Sequence, residues 1–272
     1  MLRVPPEEAE PCSDWLWQLG ATAIEERTAV DAETSAITLI VGFGHDDLAL
    51  AARDVLVERW PCRFEDTGDE GTWRDEWMKW IEPIEVAGFV VHAPWNNPAI
   101  WQDWSDDLVE LAIDPGRAFG SGHHPTTRLA LTALQDLVDD TSTVLDVGCG
   151  TGILSIAAAK RDAASVVGID LDFDIIEVAD ANVEANGVAD RVDLRTDPIE
   201  AVPGRFDVVV ANIVIGDLMP LMGAIVEKAD GYVVVSGFLD NQFERILTQV
   251  DIDVVARTSL DDWGCAVLTP TV

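Results

Sequence analysis

The spacing of hydrophobic and polar positions along this chain predicts three regions: a small folded region, a connector and a larger folded region. In residues 1–68 the spacing changes between the strand and helix periods in the order β-α-β-β-α-β. Strands are predicted at 2–4, 21–26, 36–43 and 62–65, and helices at 7–19 and 48–60. This order is typical of a ferredoxin-like α+β domain.

Tryptophans dominate the connector, residues 69–112. Trp73, Trp77 and Trp80 fall at i, i+4 and i+7, which places them on one stripe of a predicted helix. Residues 84–93 then alternate as a single strand. Aromatic stripes of this kind are typical of packing, and we interpret the segment as the join between the two folded regions.

From residue 113 onward strands alternate with helices, which is typical of a parallel sheet covered on both faces. Strands are predicted at 143–147, 166–170, 192–195, 206–212, 232–236, 252–257 and 264–269. Helices are predicted at 126–137, 153–161, 174–186, 218–229 and 241–250. Only a turn separates the last two strands, so we expect an antiparallel pair at one edge. Residues 113–272 are therefore predicted to form a Rossmann-like α/β domain.

A glycine-rich loop follows the first strand of this domain. Gly148, Gly150 and Gly152 are spaced G-x-G-x-G, and the missing side chains let a ligand approach the backbone. The dinucleotide fingerprint G-x-G-x-x-G requires a glycine at the next position, which is Ile153. Asp146 precedes the loop and no lysine or arginine lies in it, so a pyrophosphate would meet an uncompensated carboxylate.

S-adenosyl-L-methionine suits such a loop better than a dinucleotide does. It has no phosphate and carries an ammonium and a sulfonium group, which the carboxylate of Asp146 would attract. Asp170 ends the next strand, where an acidic side chain can accept hydrogen bonds from both ribose hydroxyls. The alternative for these residues is a dehydrogenase or a bare nucleotide-binding turn.

A single polar amide, Asn212, ends a buried strand of the same sheet. Ligands of open α/β sheets bind outside the carboxyl ends of the strands, and the amide carbonyl can orient an incoming amine. The alternative is that Asn212 caps the following helix. Enzymes that methylate nucleobases follow such a residue with an aromatic platform for the flipped base, whereas Ile213 and Val214 follow here. An amine is therefore expected as the acceptor.

The net charge of the chain limits the kinds of partner that it can bind. The chain has 50 acidic against 17 basic residues, a formal net charge of −33, and this surface would repel phosphate backbones. We expect no direct nucleic-acid binding. An acidic surface attracts a basic partner at low salt, and it is also typical of proteins adapted to high salt. Both explanations stay open from the sequence.

Several other classes are excluded by simple patterns. No apolar run approaches the length of a membrane helix, and the first residues lack the apolar core of a signal peptide. The four cysteines are scattered, which predicts neither a disulfide framework nor a zinc site. The adjacent His123 and His124 are too few for a metal site. We expect a cytoplasmic protein with reduced thiols, no metal and no membrane partner.

One segment is more specific than the glycine loop: residues 114–127 read DPGRAFGSGHHPTT. Together with VLDVGCGTG, VVGIDLD and VVVANI, it resembles the PrmA family, whose members methylate large-subunit ribosomal protein eleven. The resemblance spans nearly the whole chain. It implies a class I S-adenosylmethionine-dependent methyltransferase domain over 113–272 and a substrate-recognition domain over 1–68. It also implies transfer to lysine side-chain and N-terminal amines of the ribosomal protein. Because the acidic surface would repel ribosomal RNA, we expect this basic protein to meet the enzyme free of the ribosome, and we expect the enzyme to be a monomer.

The resemblance and the loop together define the candidate site residues. Asn212 is the candidate catalytic residue, and the candidate cofactor-binding residues are Phe119, Gly120, Gly122, Thr127, Asp146, Gly148, Gly150, Gly152, Asp170 and Asn212. The family continues after the asparagine with a pattern that this chain replaces by Val214-Ile215-Gly216-Asp217. Two alternatives therefore stay open: a methyltransferase of the same fold with another protein or a small amine as acceptor, and a non-catalytic cofactor-binding regulatory module.

Overall fold

The computed structural model describes residues 2–5, 8, 12–13, 15–16, 19, 21–28, 37–43, 46–59, 81–101, 103–105, 107–116 and 118–271. Contacts divide the chain into two compact units, Met1–Trp80 and Ile81–Val272. Within the described segments, no helix combines the length and the apolar character needed to cross a membrane.

The smaller unit contains a three-stranded antiparallel sheet. Its strands are β1 (Leu2–Val4), β2 (Ala21–Thr28) and β3 (Ile37–Phe43), in the order β1-β3-β2, and helix α1 spans Asp46–Arg59. Buried Leu2, Val4 and Leu39 from the sheet share a core with Ala52 and Leu56 of α1. The strands therefore bury one side against the helix.

Parts of the predicted small domain cannot be compared with the structure. The predicted strand at 62–65 and the tryptophan stripe of Trp73, Trp77 and Trp80 lie outside the described residues, and the predicted helix at 7–19 is described only in part. The ferredoxin-like assignment of this region stays a prediction.

The larger unit is built on a seven-stranded mixed sheet. Its strands are β7 (Thr143–Val147), β8 (Ser165–Ile169), β9 (Val192–Arg195), β10 (Phe206–Asn212), β11 (Ala229–Leu239), β12 (Ile252–Leu260) and β13 (Trp263–Pro270). Their order is β12-β13-β11-β10-β7-β8-β9, with β7 to β11 parallel and β13 antiparallel to both of its neighbours. The predicted antiparallel pair at one edge is confirmed.

Helices cover both faces of this sheet. They are α2 (Pro125–Leu137), α3 (Ile153–Lys160), α4 (Phe173–Ala185), α5 (Ile215–Lys228) and α6 (Phe243–Leu247). Alternate residues of β10 enter different cores: Val208 and Val210 pack with α2 and α3, whereas Val209 and Ala211 pack with α5 and α6. Because both faces of the central strands are buried, those strands are continuously hydrophobic, as a parallel sheet requires.

A second, smaller sheet corrects one detail of the sequence prediction. Residues 84–93 form a hairpin, β4 (Ile84–Val86) and β5 (Phe89–His92), rather than one strand. Ala87 and Gly88 both have positive φ, which closes a two-residue turn that suits the strand twist. The missed strand β6 (Val109–Ala112) pairs parallel to β5. This sheet packs into the same core as α2 and α3, so the strands of the connector belong to the body of the larger unit.

Candidate active site

The order in which the chain adds strands to the main sheet reverses between β7 and β10, and the candidate residues lie at that point. From β7 the chain proceeds through β8 and β9 on one side, while β10 and β11 lie on the other. Register pairs Val147 with both Ile169 and Ala211. The next residue along each of these three neighbouring strands therefore lies in one row, and these residues are Gly148, Asp170 and Asn212. Such a switch point opens a crevice at the carboxyl ends of the strands.

Glycine is required at two positions of the loop after β7. Gly148 has φ +71°, and an added Cβ would lie 2.4 Å from Ile213 Cγ2. Gly150 has φ +55°, and an added Cβ would lie 2.5 Å from the carbonyl oxygen of Phe119. Side chains at these positions would collide with the residue after Asn212 and with the neighbouring segment, so the loop keeps a bare backbone beside the crevice.

Asp170 braces this loop and keeps acceptor capacity. Its Oδ2 accepts a hydrogen bond from the Gly150 amide at 3.3 Å, and its Oδ1 accepts one from the Asp172 amide at 3.2 Å. The residue is half-buried. A carboxylate has about four lone-pair positions, so these two contacts leave room for two further donors. This is the arrangement that a pair of vicinal hydroxyls requires.

Asp146 lies deeper, at the end of β7. It is 1% exposed, and its Oδ2 accepts hydrogen bonds from the Ser155 amide at 3.0 Å and the Ser155 hydroxyl at 2.7 Å. Its Oδ1 is buried without a hydrogen-bond partner among the described residues. Burial raises the pKa of Asp146 to about 7, against the lowering effect of the Ser155 hydrogen bonds. A positive charge nearby would favour the ionised form.

Asn212 presents an unused acceptor at the end of β10. Its Nδ2 donates to Thr127 Oγ1 at 3.3 Å, while its Oδ1 is buried and lacks a partner within the described part of the chain. The alternative role as a helix cap is wrong, because α5 begins at Ile215 with Val214 as its N-cap residue. A buried carbonyl oxygen without a donor is costly unless a ligand supplies one.

The segment before α2 lies against the glycine loop. The carbonyl oxygen of Phe119 accepts a hydrogen bond from the Thr151 amide at 3.1 Å, while the Phe119 side chain is 54% exposed. Gly120 and Gly122 have φ of +118° and +89°, and a Cβ on Gly122 would lie 2.6 Å from Val91 Cγ1. The structure thus brings together all ten of the predicted site residues around the glycine loop or the strands beside it.

The two histidines point to separate partners. His124 caps α2 through Thr126, and burial lowers its pKa. The His123 ring bonds instead with the carbonyl oxygens of Ser121 and Glu82. In the described part of the chain, no group of three or more His, Cys, Asp or Glu residues could hold a metal ion.

Sequence reasoning missed several buried polar residues that shape the site. Ser155 holds Asp146, and Thr151 holds the segment before α2. Asn182 of α4 and Asn186, the residue directly after that helix, bond to the backbone of Asp114 and Ala112. The one available signal was the i, i+4 spacing of the two asparagines, which places polar side chains on the buried face of a helix.

A cavity of about 240 Å³ lies at the opposite, amino end of the strands, away from this chemistry. Asp139 and Asp207 line it, but hydroxyls of Thr141, Ser142 and Thr143 already bond to these carboxylates. These acids stabilise the turn before β7, so the cavity is not the candidate site.

The donors and acceptors of the crevice fit S-adenosylmethionine. Asp146 Oδ1 and Asn212 Oδ1, which have no partner among the described residues, are acceptors that suit the donors of a cationic ligand. Apolar side chains of Leu171, Phe173 and Val214 follow β8 and β10 and are mostly exposed, which suits the less polar parts of such a ligand.

Known proteins that are similar to this chain are methyltransferases. The family described as "Ribosomal protein L11 methyltransferase (PrmA)" matches residues 2–270. A relative of that name from Caldanaerobacter subterraneus is 37% identical over 72% of this chain and 63% of its own length. Another, from Pelobacter propionicus, is 33% identical over 87% of this chain and 84% of its own. The chain therefore spans somewhat less than two thirds of the first relative and most of the second.

A solved structure is also similar. The crystal structure of ribosomal protein L11 methylase from Lactobacillus delbrueckii subsp. bulgaricus superposes with a TM-score of 0.64 and 28% sequence identity. The match covers 70% of this chain and all of that one.

Proposed function

This chain belongs to the ribosomal protein L11 methyltransferase (PrmA) family, and we propose that it transfers methyl groups from S-adenosylmethionine to amines of ribosomal protein L11. One observation carries the proposal: the family match extends over residues 2–270, which include both the crevice and the smaller unit. The acceptors are lysine side-chain and N-terminal amines, as the resemblance implies.

The crevice residues divide into two roles toward the cofactor. Asp170 would accept hydrogen bonds from the ribose hydroxyls, and the backbone at Gly148 and Gly150 would lie against the ligand without side chains between. Asp146 would compensate positive charge at the methionine end. S-adenosylmethionine, when bound, supplies a methyl group on a positively charged sulfur that departs as a neutral thioether.

Asn212 is the proposed catalytic residue. Its Oδ1 would accept a hydrogen bond from the acceptor amine and orient the nitrogen lone pair, while Thr127 holds the amide group from the other side. Positioning of this kind contributes most of the acceleration when little covalent chemistry is needed. A lysine amine is mostly protonated near neutral pH, so it must lose its proton on leaving water. We assign no general base.

The smaller unit is proposed to recognise the ribosomal protein, as the resemblance implies for residues 1–68. The net charge of −33 supports a basic substrate that meets the enzyme free of the ribosome, since ribosomal RNA would be repelled. We further propose that the enzyme acts as a monomer in the cytoplasm.

Mass spectrometry tests the substrate. Purified ribosomal protein L11 is incubated with the enzyme and S-adenosylmethionine, and its intact mass is expected to rise in steps of one methylene. Fragment masses then locate the modified amines. If its mass is unchanged while another protein or a small amine in the same assay is methylated, the acceptor is that molecule and not ribosomal protein L11.

Asn212→Ala distinguishes catalysis from regulation. We expect kcat to fall about 100-fold, because the amine loses its orienting acceptor. The affinity for S-adenosylhomocysteine, measured by calorimetry, should change much less. Equal losses in rate and affinity would make Asn212 a cofactor-binding residue only. Tight cofactor binding by a wild-type enzyme without transfer to any amine would support the regulatory alternative.

A further inference from the structure

Two segments beside the crevice are joined by side chains to which the proposed function gives no role. We define residues 113–116 and 118–122 as the covering segment and residues 148–152 as the glycine loop. Thr151 lies in the glycine loop and is fully buried. Its amide donates a hydrogen bond to the Phe119 carbonyl at 3.1 Å, and its hydroxyl donates one to the Gly120 carbonyl at 2.9 Å.

Asn182 holds the same two segments from behind. It is 2% exposed on α4, and its Nδ2 donates to the carbonyl oxygens of Asp114 at 2.9 Å and Thr151 at 3.0 Å. Its Oδ1 accepts the Asp114 amide at 2.9 Å. A single amide group therefore bonds to both the covering segment and the glycine loop.

The approach of the two segments leaves no space for a side chain between them. A Cβ on Gly120 would lie 2.6 Å from Thr151 Oγ1, and one on Gly150 would lie 2.5 Å from the carbonyl oxygen of Phe119. The Phe119–Gly120 turn is therefore in direct contact with the glycine loop. The Thr151 hydroxyl bonds directly from the glycine loop to this turn, and its hydrogen bond can be removed by substitution without a steric clash.

We propose that Thr151 is a positioning residue, which together with Asn182 holds the Phe119–Gly120 turn on the glycine loop and so closes one side of the methyl-donor site. Thr151 acts through the covering segment and has no direct role in transfer. The inference rests on the proposed binding of S-adenosylmethionine in this crevice. Without the hydroxyl, the buried Gly120 carbonyl loses its donor and the covering segment opens more often.

Three variants isolate the hydroxyl. Thr151→Val has nearly the same shape but no donor, and Thr151→Ser keeps the donor while losing a methyl group. Thr132→Val is the matched control, because Thr132 on the exposed face of α2 donates its hydroxyl to the Arg128 carbonyl at the same 2.9 Å. If Thr151→Val does not fold, as judged by circular dichroism, Thr151→Ala replaces it.

Hydrogen exchange of the free protein and affinity for S-adenosylhomocysteine are the two measurements. Thr151→Val should raise the exchange of peptides spanning 116–124 and 148–152 about tenfold, and should weaken binding by a similar factor. Thr151→Ser should restore most of both, and Thr132→Val should leave both at the wild-type level.

The proposal is overturned if Thr151→Val matches the wild type in exchange and affinity, or if Thr132→Val changes them equally. It is also overturned if the serine variant behaves like the valine variant. Neither measurement involves the ribosomal protein, so an absence of methylation by the wild type would contradict the proposed function and leave this result unaffected.

Discussion

At the scale of single residues, the site depends on carboxylate and amide oxygens that can still accept hydrogen bonds. Asp170 uses one lone pair on each oxygen to hold backbone amides, and Asn212 Oδ1 uses none among the described residues. Their positions follow from the register of three neighbouring strands. Two acidic residues close together in sequence, Asp170 and Asp172, show how sharply position decides the role.

Asp170→Ala is expected to weaken S-adenosylhomocysteine binding by about 10- to 100-fold, since one or two hydrogen bonds to a charged group are lost. The control is Asp172→Ala, because the Asp172 side chain accepts the Asp174 amide and caps α4. That variant should lose about 1 kcal/mol of unfolding free energy and keep its affinity. Calorimetry and chemical denaturation measure the two effects, and an unchanged affinity in Asp170→Ala would remove the residue from the ribose site.

The buried carboxyl group of Asp146 predicts how the stability of the folded protein depends on pH. Burial raises its pKa from 3.8 to about 7 in the folded protein, so between these values the folded state holds a proton that the unfolded state has lost. The resulting stabilisation is fully present below the ordinary pKa and is lost as the pH rises to about 7. An asparagine at this position cannot ionise and would keep an acceptor for Ser155.

We therefore expect the unfolding free energy of the cofactor-free wild type, relative to Asp146→Asn, to fall by at least about 1 kcal/mol between about pH 5 and pH 8. Urea denaturation at both pH values measures it. Because other titrating groups are common to both proteins, parallel pH profiles would show that Asp146 is ionised throughout and would contradict the raised pKa.

At the scale of elements, the sequence predicted regular strands well and short non-local ones poorly. The limits of β7, β9 and β10 match the prediction, because unbroken hydrophobic runs between turn residues mark buried parallel strands. The hairpin of β4 and β5 was missed because Ala87-Gly88 lacks a strong turn signal. Strand β6 was missed because it has only four residues and its pairing partner β5 is not joined to it by a turn.

The same distinction applies to the candidate site. Gly148, Asp170 and Asn212 could be predicted because each directly follows or ends a strand, and the fold places the ends of parallel strands together. Thr151 and Asn182 could not, because their roles come from contacts with the backbone of residues 114–120, which only the folded chain provides. Local pattern identifies the ligand-facing positions, and tertiary contact identifies the residues that hold them.

Alanine substitutions at two glycines test how closely the segments around the site are packed. In Gly150→Ala the new Cβ would meet the Phe119 carbonyl, and the φ of +55° is unfavourable for alanine. We expect a loss of at least about 1 kcal/mol in unfolding free energy together with weaker S-adenosylhomocysteine binding. The control, Gly223→Ala, lies in α5 with open space around it and should gain about 0.5–1 kcal/mol. A Gly150→Ala protein as stable as the wild type would mean that the covering segment moves away at no cost.

At the scale of the whole molecule, the charge of −33 is the property with two explanations, and they differ in what salt changes. Self-repulsion of a highly charged surface destabilises the folded state, and salt screens it. If the charge is an adaptation to salt, unfolding free energy should rise markedly with NaCl, well beyond physiological concentrations. If the charge serves to attract a basic ribosomal protein, kcat/KM for that substrate should fall steeply once the screening length drops below about 10 Å.

We expect salt both to stabilise the folded protein and to lower kcat/KM, and one experiment measures the size of each effect. Thermal unfolding and kcat/KM for ribosomal protein L11 are measured from about 0.05 M to about 1 M NaCl, with S-adenosylhomocysteine affinity as the reference. Rising stability with little change in kcat/KM assigns the charge to salt adaptation. A tenfold or larger fall in kcat/KM, with cofactor affinity unchanged, assigns part of it to electrostatic steering of the substrate. If neither quantity responds to salt, the acidic surface contributes to neither stability nor substrate encounter.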